Sequence, residues 1–145
     1  MDAYEKGVSL LSVREHTEKE LREKLGKRFS PEDIDEAVAL LKQKGYLSDR
    51  RYADVFLRSR MRRSPEGRPL LLCRLREKGV GEEDAAEALS LFWEEGQYAE
   101  PLMKSYRSLV RKKGKEKARA SLLMKGFTES EVRSVASKVD DEGEE

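Results

Sequence analysis

The chain has 145 residues, of which 30 are basic and 29 acidic, with a net charge of +1. Leu, Ile, Val and Phe together supply 32 residues, just above the ~20% below which chains stay disordered. The longest uncharged stretch is Gly7 to Val13, seven residues, too short for a membrane span or a secretory h-region. One Cys (Cys73) and one His (His16) exclude an internal disulfide and a His/Cys zinc cluster. The reducing cytosol is the expected compartment. No G-x-x-x-x-G-K-[ST] loop or G-x-S-x-G elbow is present, and Gly79-Val80-Gly81 is too short for a dinucleotide fingerprint. The sequence implies no cofactor, no metal and no enzyme chemistry.

Val, Ile and Thr number only 12, while Leu, Ala, Glu, Lys and Arg dominate. This composition favours helices over strands. In chain order, a first helix is expected at Ala3–Val13. Leu21 and Leu25, then Ile34, Val38 and Leu41, continue at helical spacing. A longer helix follows at Ser48–Arg63. The run Ser64-Pro65-Glu66-Gly67-Arg68-Pro69 reads as a turn. A third long helix is expected at Gln97–Lys113. The fold class is all-α.

One pattern recurs three times, as Phe29-Ser30-Pro31-Glu32-Asp33-Ile34, Val80-Gly81-Glu82-Glu83-Asp84-Ala85 and Phe127-Thr128-Glu129-Ser130-Glu131-Val132. Gly79 and Gly126 suit the left-handed close of a helix. Ser30, Gly81 and Thr128 then take the next N-cap, with Asp33, Asp84 and Glu131 at N3. Pro31 sits at N1, where its missing N–H costs nothing. Three tandem three-helix repeats result, at 1–45, 46–93 and 94–139, in an elongated, curved array. An acidic disordered tail is expected at 140–145. Tyr52, Phe56, Tyr98 and Tyr106 lie at core spacing. Trp93 is expected to pack between repeats two and three, Cys73 to fill core and His16 to be a solvated surface residue.

Charge is segregated. Residues 50–78 hold ten bases and three acids; residues 79–100 hold seven acids and no base; residues 104–125 hold nine bases and one acid. On the second long helix Arg51, Arg58 and Arg62 share a stripe. On the third, Lys104, Arg107 and Arg111 do, and positive charge continues through Lys112, Lys113, Lys115 and Lys117. Each stripe has two readings: a solvated face paired with neighbouring acids, worth little energetically, or part of a track for a polyanion.

The stretch Gly45-Tyr46-Leu47-Ser48-Asp49-Arg50-Arg51-Tyr52-Ala53, followed by Arg58-Ser59-Arg60, resembles the signature of the RecX family. Leu75-Arg76-Glu77-Lys78-Gly79-Val80, the upstream run Ser12 to Leu25 and, more loosely, Leu122 to Phe127 extend the resemblance over about residues 4–136. Two departures stand out. Leu25 to Phe29 is one residue shorter than its counterparts, so the second helix should end in a different cap, and Val13 stands where Arg is commoner.

The resemblance implies a regulator of the RecA recombinase that is not an enzyme. Such proteins bind the RecA filament on single-stranded DNA and generally inhibit its growth, ATP hydrolysis, strand exchange and co-protease activity. The residues expected to meet acidic RecA surface or DNA phosphate are Arg51, Arg58, Arg62, Arg68, Arg74, Arg76, Lys104, Arg107, Arg111 and Lys115. Single-stranded DNA is touched directly or through RecA. No membrane partner is expected, and exposed charge favours a monomer. The alternatives are an autonomous helical DNA-binding protein acting without RecA, and a purely structural scaffold.

Overall fold

A computed structural model describes residues 1–142 of the chain. Among them are nine helices and no strand: α1 (Ala3–Val13), α2 (Glu18–Leu25), α3 (Pro31–Gln43), α4 (Asp49–Arg63), α5 (Arg68–Lys78), α6 (Glu82–Glu94), α7 (Ala99–Lys113), α8 (Lys115–Met124) and α9 (Glu129–Glu142). The all-α expectation holds, and the three long helices fall within two residues of their expected bounds. Residues 140–142 continue α9 instead of opening a tail. Asp140 is engaged there by Tyr106 and Arg119. The remaining tail residues, 143–145, lie outside the described residues.

The local grammar is the expected one. Ser30 Oγ accepts the Asp33 N–H at 3.2 Å. Thr128 and Glu131 cap reciprocally, as do Thr17 and Glu20. Gly79 and Gly126 adopt φ of +97° and +92°, a region costly for residues with a Cβ. Each is followed by an apolar N–H reaching back five residues, Val80 to the Leu75 carbonyl and Phe127 to the Leu122 carbonyl, the Schellman closure. α2 ends otherwise, as its shorter spacing implied: Gly26 stays right-handed and Phe29 N–H returns to the Leu25 carbonyl.

The described residues gather into two compact units. Unit one comprises Met1–Phe56 and Arg74–Ala88, and contains α1–α3 whole. Its core is Leu21, Leu25, Ile34, Val38, Leu41 and Leu47, with Tyr4, Val8 and Phe29 against it. Unit two comprises Leu57–Cys73 and Leu89–Glu145, and contains α7–α9 whole. There Leu102, Tyr106, Ala118, Leu122 and Ala136 are fully buried. Helices α4, α5 and α6 each contribute residues to both units.

The RecX-like signature has a structural meaning within unit one. Gly45 closes α3, Leu47 is buried and Ser48 caps α4 by accepting the Arg51 N–H. Asp49 accepts the Glu18 N–H at 2.8 Å, tying the start of α4 to the start of α2. Arg51 donates to Glu15 (2.5 Å) and to the Gly45 and Tyr46 carbonyls (both 2.9 Å). Tyr52 and Ala53 are buried. The Ser48 cap and the two Arg51-to-carbonyl bonds of this signature serve the α3–α4 junction, while Asp49 ties α4 to α2 and Arg50 pairs with Asp54 and Glu87.

Two expectations reverse. Cys73 is exposed, because the buried positions of α5 are Leu71 and Leu75, one helical turn apart, and Cys73 lies between them on the other side. His16 is 1% exposed. Its Nε2 lies 2.9 Å from the Lys24 ammonium, which can only donate, so Nδ1 carries the proton and donates to the Arg14 carbonyl at 3.0 Å. Its polar neighbours in sequence are these partners, not solvent.

Burial lowers the His16 pKa; the Arg14 carbonyl works against this, the charges of Arg14 and Lys24 add to it, and Glu20 opposes it. The folded protein therefore binds a proton less readily than the unfolded chain, whose histidine titrates near ~6.5. Stability is full above that value and declines as pH falls through it, by at most about 1.4 kcal/mol per pH unit. Urea unfolding of the parent and His16→Gln between mildly alkaline and mildly acidic pH checks this. The parent should lose more stability on acidification than the variant, and equal slopes would refute it.

Candidate functional site

Unit two holds a cationic groove. It is formed where the C-terminal turn of α4 and its Ser64-Pro65 continuation face α7. Arg62, Arg63, Lys104, Lys112 and Lys125 line it, with Ser64, Ser105 and Ser108 between them, and its volume is about 450 Å³. Glu100 is its one acid. Among the described residues none of the five cations forms an ion pair. Met61, Leu109, Pro65 and Pro101 add apolar lining. Five unneutralised cations with three hydroxyl groups in one concavity suit a phosphate-bearing or carboxylate-rich surface.

Local folding explains the arrangement. Arg62 and Arg63 occupy the last turn of α4, where cations suit the helix dipole. Lys104, Ser108 and Lys112 follow one another at i, i+4 and i+8 along α7. Lys125 arrives from the far end of α8, fixed because its carbonyl accepts the Gly67 N–H at 2.9 Å.

Of the residues singled out from sequence, Arg62 and Lys104 line this groove. Arg58 on α4 and Arg111 on α7 are exposed and form no ion pair among the described residues. Arg107 pairs with Glu142 (2.6 Å) and Lys115 with Asp140 (3.7 Å). Arg68 lies over the Trp93 ring, 5.4 Å from its centroid, and 4.0 Å from Glu131. Three others belong to unit one: Arg51 at the α3–α4 junction, Arg76 paired with Glu82 (2.9 Å) and Arg74 half-buried on α5.

The groove takes the side of Lys104 opposite to Arg107 and Arg111. At about 100° per residue, Arg107 and Arg111 lie roughly 60° and 20° to one side, and Ser108 and Lys112 roughly 40° and 80° to the other. The buried Leu102 and Tyr106 were available to fix that orientation. Arg63 and Lys125 carried no periodic signal, and Lys125 joins only through the tertiary bond from Gly67.

The profile of the first three-helix domain of RecX matches residues 3–41, and that of the second matches residues 48–89. The chain belongs to the RecX family. Its relatives include the regulatory protein RecX of Chlorobium phaeobacteroides, 32% identical over 143 residues, covering 94% of this chain and 93% of that one. The regulatory protein RecX of Bacillus subtilis is 28% identical over 98% of this chain but 56% of its own length. The crystal structure of RecX from Lactobacillus salivarius shares the fold, with a TM-score of 0.78 over 95% of this chain at 24% identity. A second RecX crystal structure gives 0.76 at 26% identity, over 93% of this chain and 71% of that one. Among the described residues no helix is long and apolar enough to cross a membrane.

Proposed function

We propose that this RecX-family chain is a cytoplasmic regulator that binds the RecA–single-stranded DNA filament and inhibits its growth, ATP hydrolysis, strand exchange and co-protease activity. It acts by binding, not by catalysis. Support comes from one observation above all: five unpaired cations, Arg62, Arg63, Lys104, Lys112 and Lys125, share the groove of unit two. Among the described residues these five form no ion pair, and a polyanionic surface would supply their partners. Arg58 and Arg111 extend the same charge along α4 and α7. Several modest contacts on one folded unit act together through high effective concentration.

The test is single-stranded-DNA-dependent ATP hydrolysis by the cognate RecA, titrated with the chain. Arg62→Glu combined with Lys104→Glu should weaken inhibition by about tenfold or more with helicity unchanged. Arg76→Glu, which touches only the Glu82 pair, should leave it nearly intact. Full inhibition by the double variant overturns the assignment of the groove. Tight DNA binding without RecA, with a salt dependence counting several phosphates, would move the reading to an autonomous DNA-binding protein.

A further inference from the structure

Unit one carries a second groove of opposite charge. It runs between the start of α1 and the face of α3, with a volume of about 830 Å³, and is lined by Asp2, Tyr4, Phe29, Asp33, Glu36 and Leu40 among others. The lining contains three carboxylates and no cation. The Lys44 ammonium serves the Tyr4 end, 5.0 Å from the ring centroid and 3.1 Å from the hydroxyl. Asp33 and Glu36 form no ion pair among the described residues, and Leu40 is 37% exposed. Asp33, Ala37 and Leu40 follow one helical stripe, and the seven-residue step from acid to apolar anchor rises roughly 10.5 Å.

Unit two carries the complement on α8. Lys117, Ala120 and Met124 form a stripe with the same seven-residue end-to-end step, cation first and apolar residue last, again roughly 10.5 Å. Lys117 is exposed and forms no ion pair among the described residues. Met124 is 87% exposed, and Leu123 beside it is 40% exposed. None of these residues lines the cationic groove. Ala120 between them is small and exposed, which permits a close helix approach.

We propose that this pair of faces is a self-association contact, in which α8 of one copy lies parallel to α3 of a second. Lys117 meets Asp33 and Glu36, and Met124 with Leu123 covers Leu40. The inference does not rest on the proposed RecA reading, and it replaces the monomer expected from exposed charge. The contact is heterologous: each copy carries one α8 face and one α3 groove, so two different surfaces of the chain meet.

Sedimentation velocity on the full chain, from low micromolar to near-millimolar concentration, tests this. The weight-average sedimentation coefficient should rise with concentration and fall back with added salt. Lys117→Ser with Met124→Ser should stay monomeric, and so should Asp33→Ser with Glu36→Ser. All four sites are exposed, and circular dichroism confirms that the variants keep their helices. Mixed in equal amounts, the two variants retain one intact α8 face and one intact α3 groove, so they should form dimers and nothing larger. A parent that stays monomeric throughout, association that survives in either variant, or a mixture that does not pair would each overturn the proposal.

Discussion

Gly67→Ala is expected to destabilise unit two by about 3 kcal/mol, lowering its melting temperature by roughly 10 °C. A Cβ at residue 67 would lie 2.0 Å from the Gly126 carbonyl oxygen and 2.6 Å from the Phe127 nitrogen. These are backbone atoms, so no side-chain rotation relieves the clash. The start of α5 must separate from the α8–α9 turn, and the Gly67 N–H to Lys125 carbonyl bond at 2.9 Å is then lost. Leu70, which packs on Gly126, and the buried Phe127 are displaced with it. Thermal unfolding followed by circular dichroism reads the loss. A shift of only about 2 °C would show that the two turns can part without penalty.

That glycine illustrates what was legible in the sequence. A turn at 64–69 followed from two prolines and a glycine; in the structure the connection spans 64–67, and Arg68 and Pro69 already open α5, where a proline without an N–H is tolerated. The reason for the glycine did not follow, since Gly67 has no left-handed φ; it is small because another backbone lies against it. Local rules of capping and helix closure act within five residues, and those readings held at Ser30, Gly79, Gly126 and Thr128. His16 and Cys73 failed for the complementary reason. Burial of a single residue depends on which face of its helix meets a neighbour, and on partners such as Lys24 that a linear pattern does not display.

The candidate site was legible to the same depth. Charge segregation placed clustered cations on α4 and α7, because it is a property of segments, and residues of both helices line the groove. Assigning individual residues required the helix phase and the tertiary bonds. Arg51 shows the difference: it belongs to a basic stripe and to the RecX-like signature, yet its guanidinium is occupied by Glu15 and two carbonyls that end α3. A family signature can thus mark a fold junction as readily as a binding surface. Replacement of Arg51 should therefore act through folding rather than through a lost contact with a partner.

Two capping boxes with one sequence pattern should differ in energy about threefold. At the start of α2, Glu20 accepts the Thr17 N–H at 3.1 Å and lies 3.6 Å from the more exposed Arg14. Glu20→Ala should cost about 1 kcal/mol, the usual value of such a cap. At the start of α9, Glu131 is buried and does more. Its Oε1 accepts the Thr128 N–H at 2.8 Å, and its Oε2 accepts the indole N–H of Trp93 and lies 4.0 Å from Arg68. Trp93 in turn stacks on Tyr98 with centroids 5.0 Å apart, and Arg68 lies over its ring. Glu131→Ala removes the acceptor of the Thr128 N–H, leaves a buried indole N–H without its acceptor and strips Arg68 of its counter-charge, for a loss of about 3 kcal/mol. Glu131→Gln keeps one acceptor oxygen for two donors and should fall between the alanine variant and the parent. Trp93 is the only tryptophan, so urea unfolding followed by its fluorescence reports on this cluster directly. Equal losses from Glu20→Ala and Glu131→Ala would mean that the Trp93 and Arg68 contacts contribute nothing beyond the cap. Two boxes of one sequence pattern diverge here because the Glu131 carboxylate also holds the Trp93 indole and faces Arg68, whereas the second oxygen of Glu20 has no such buried donor among the described residues.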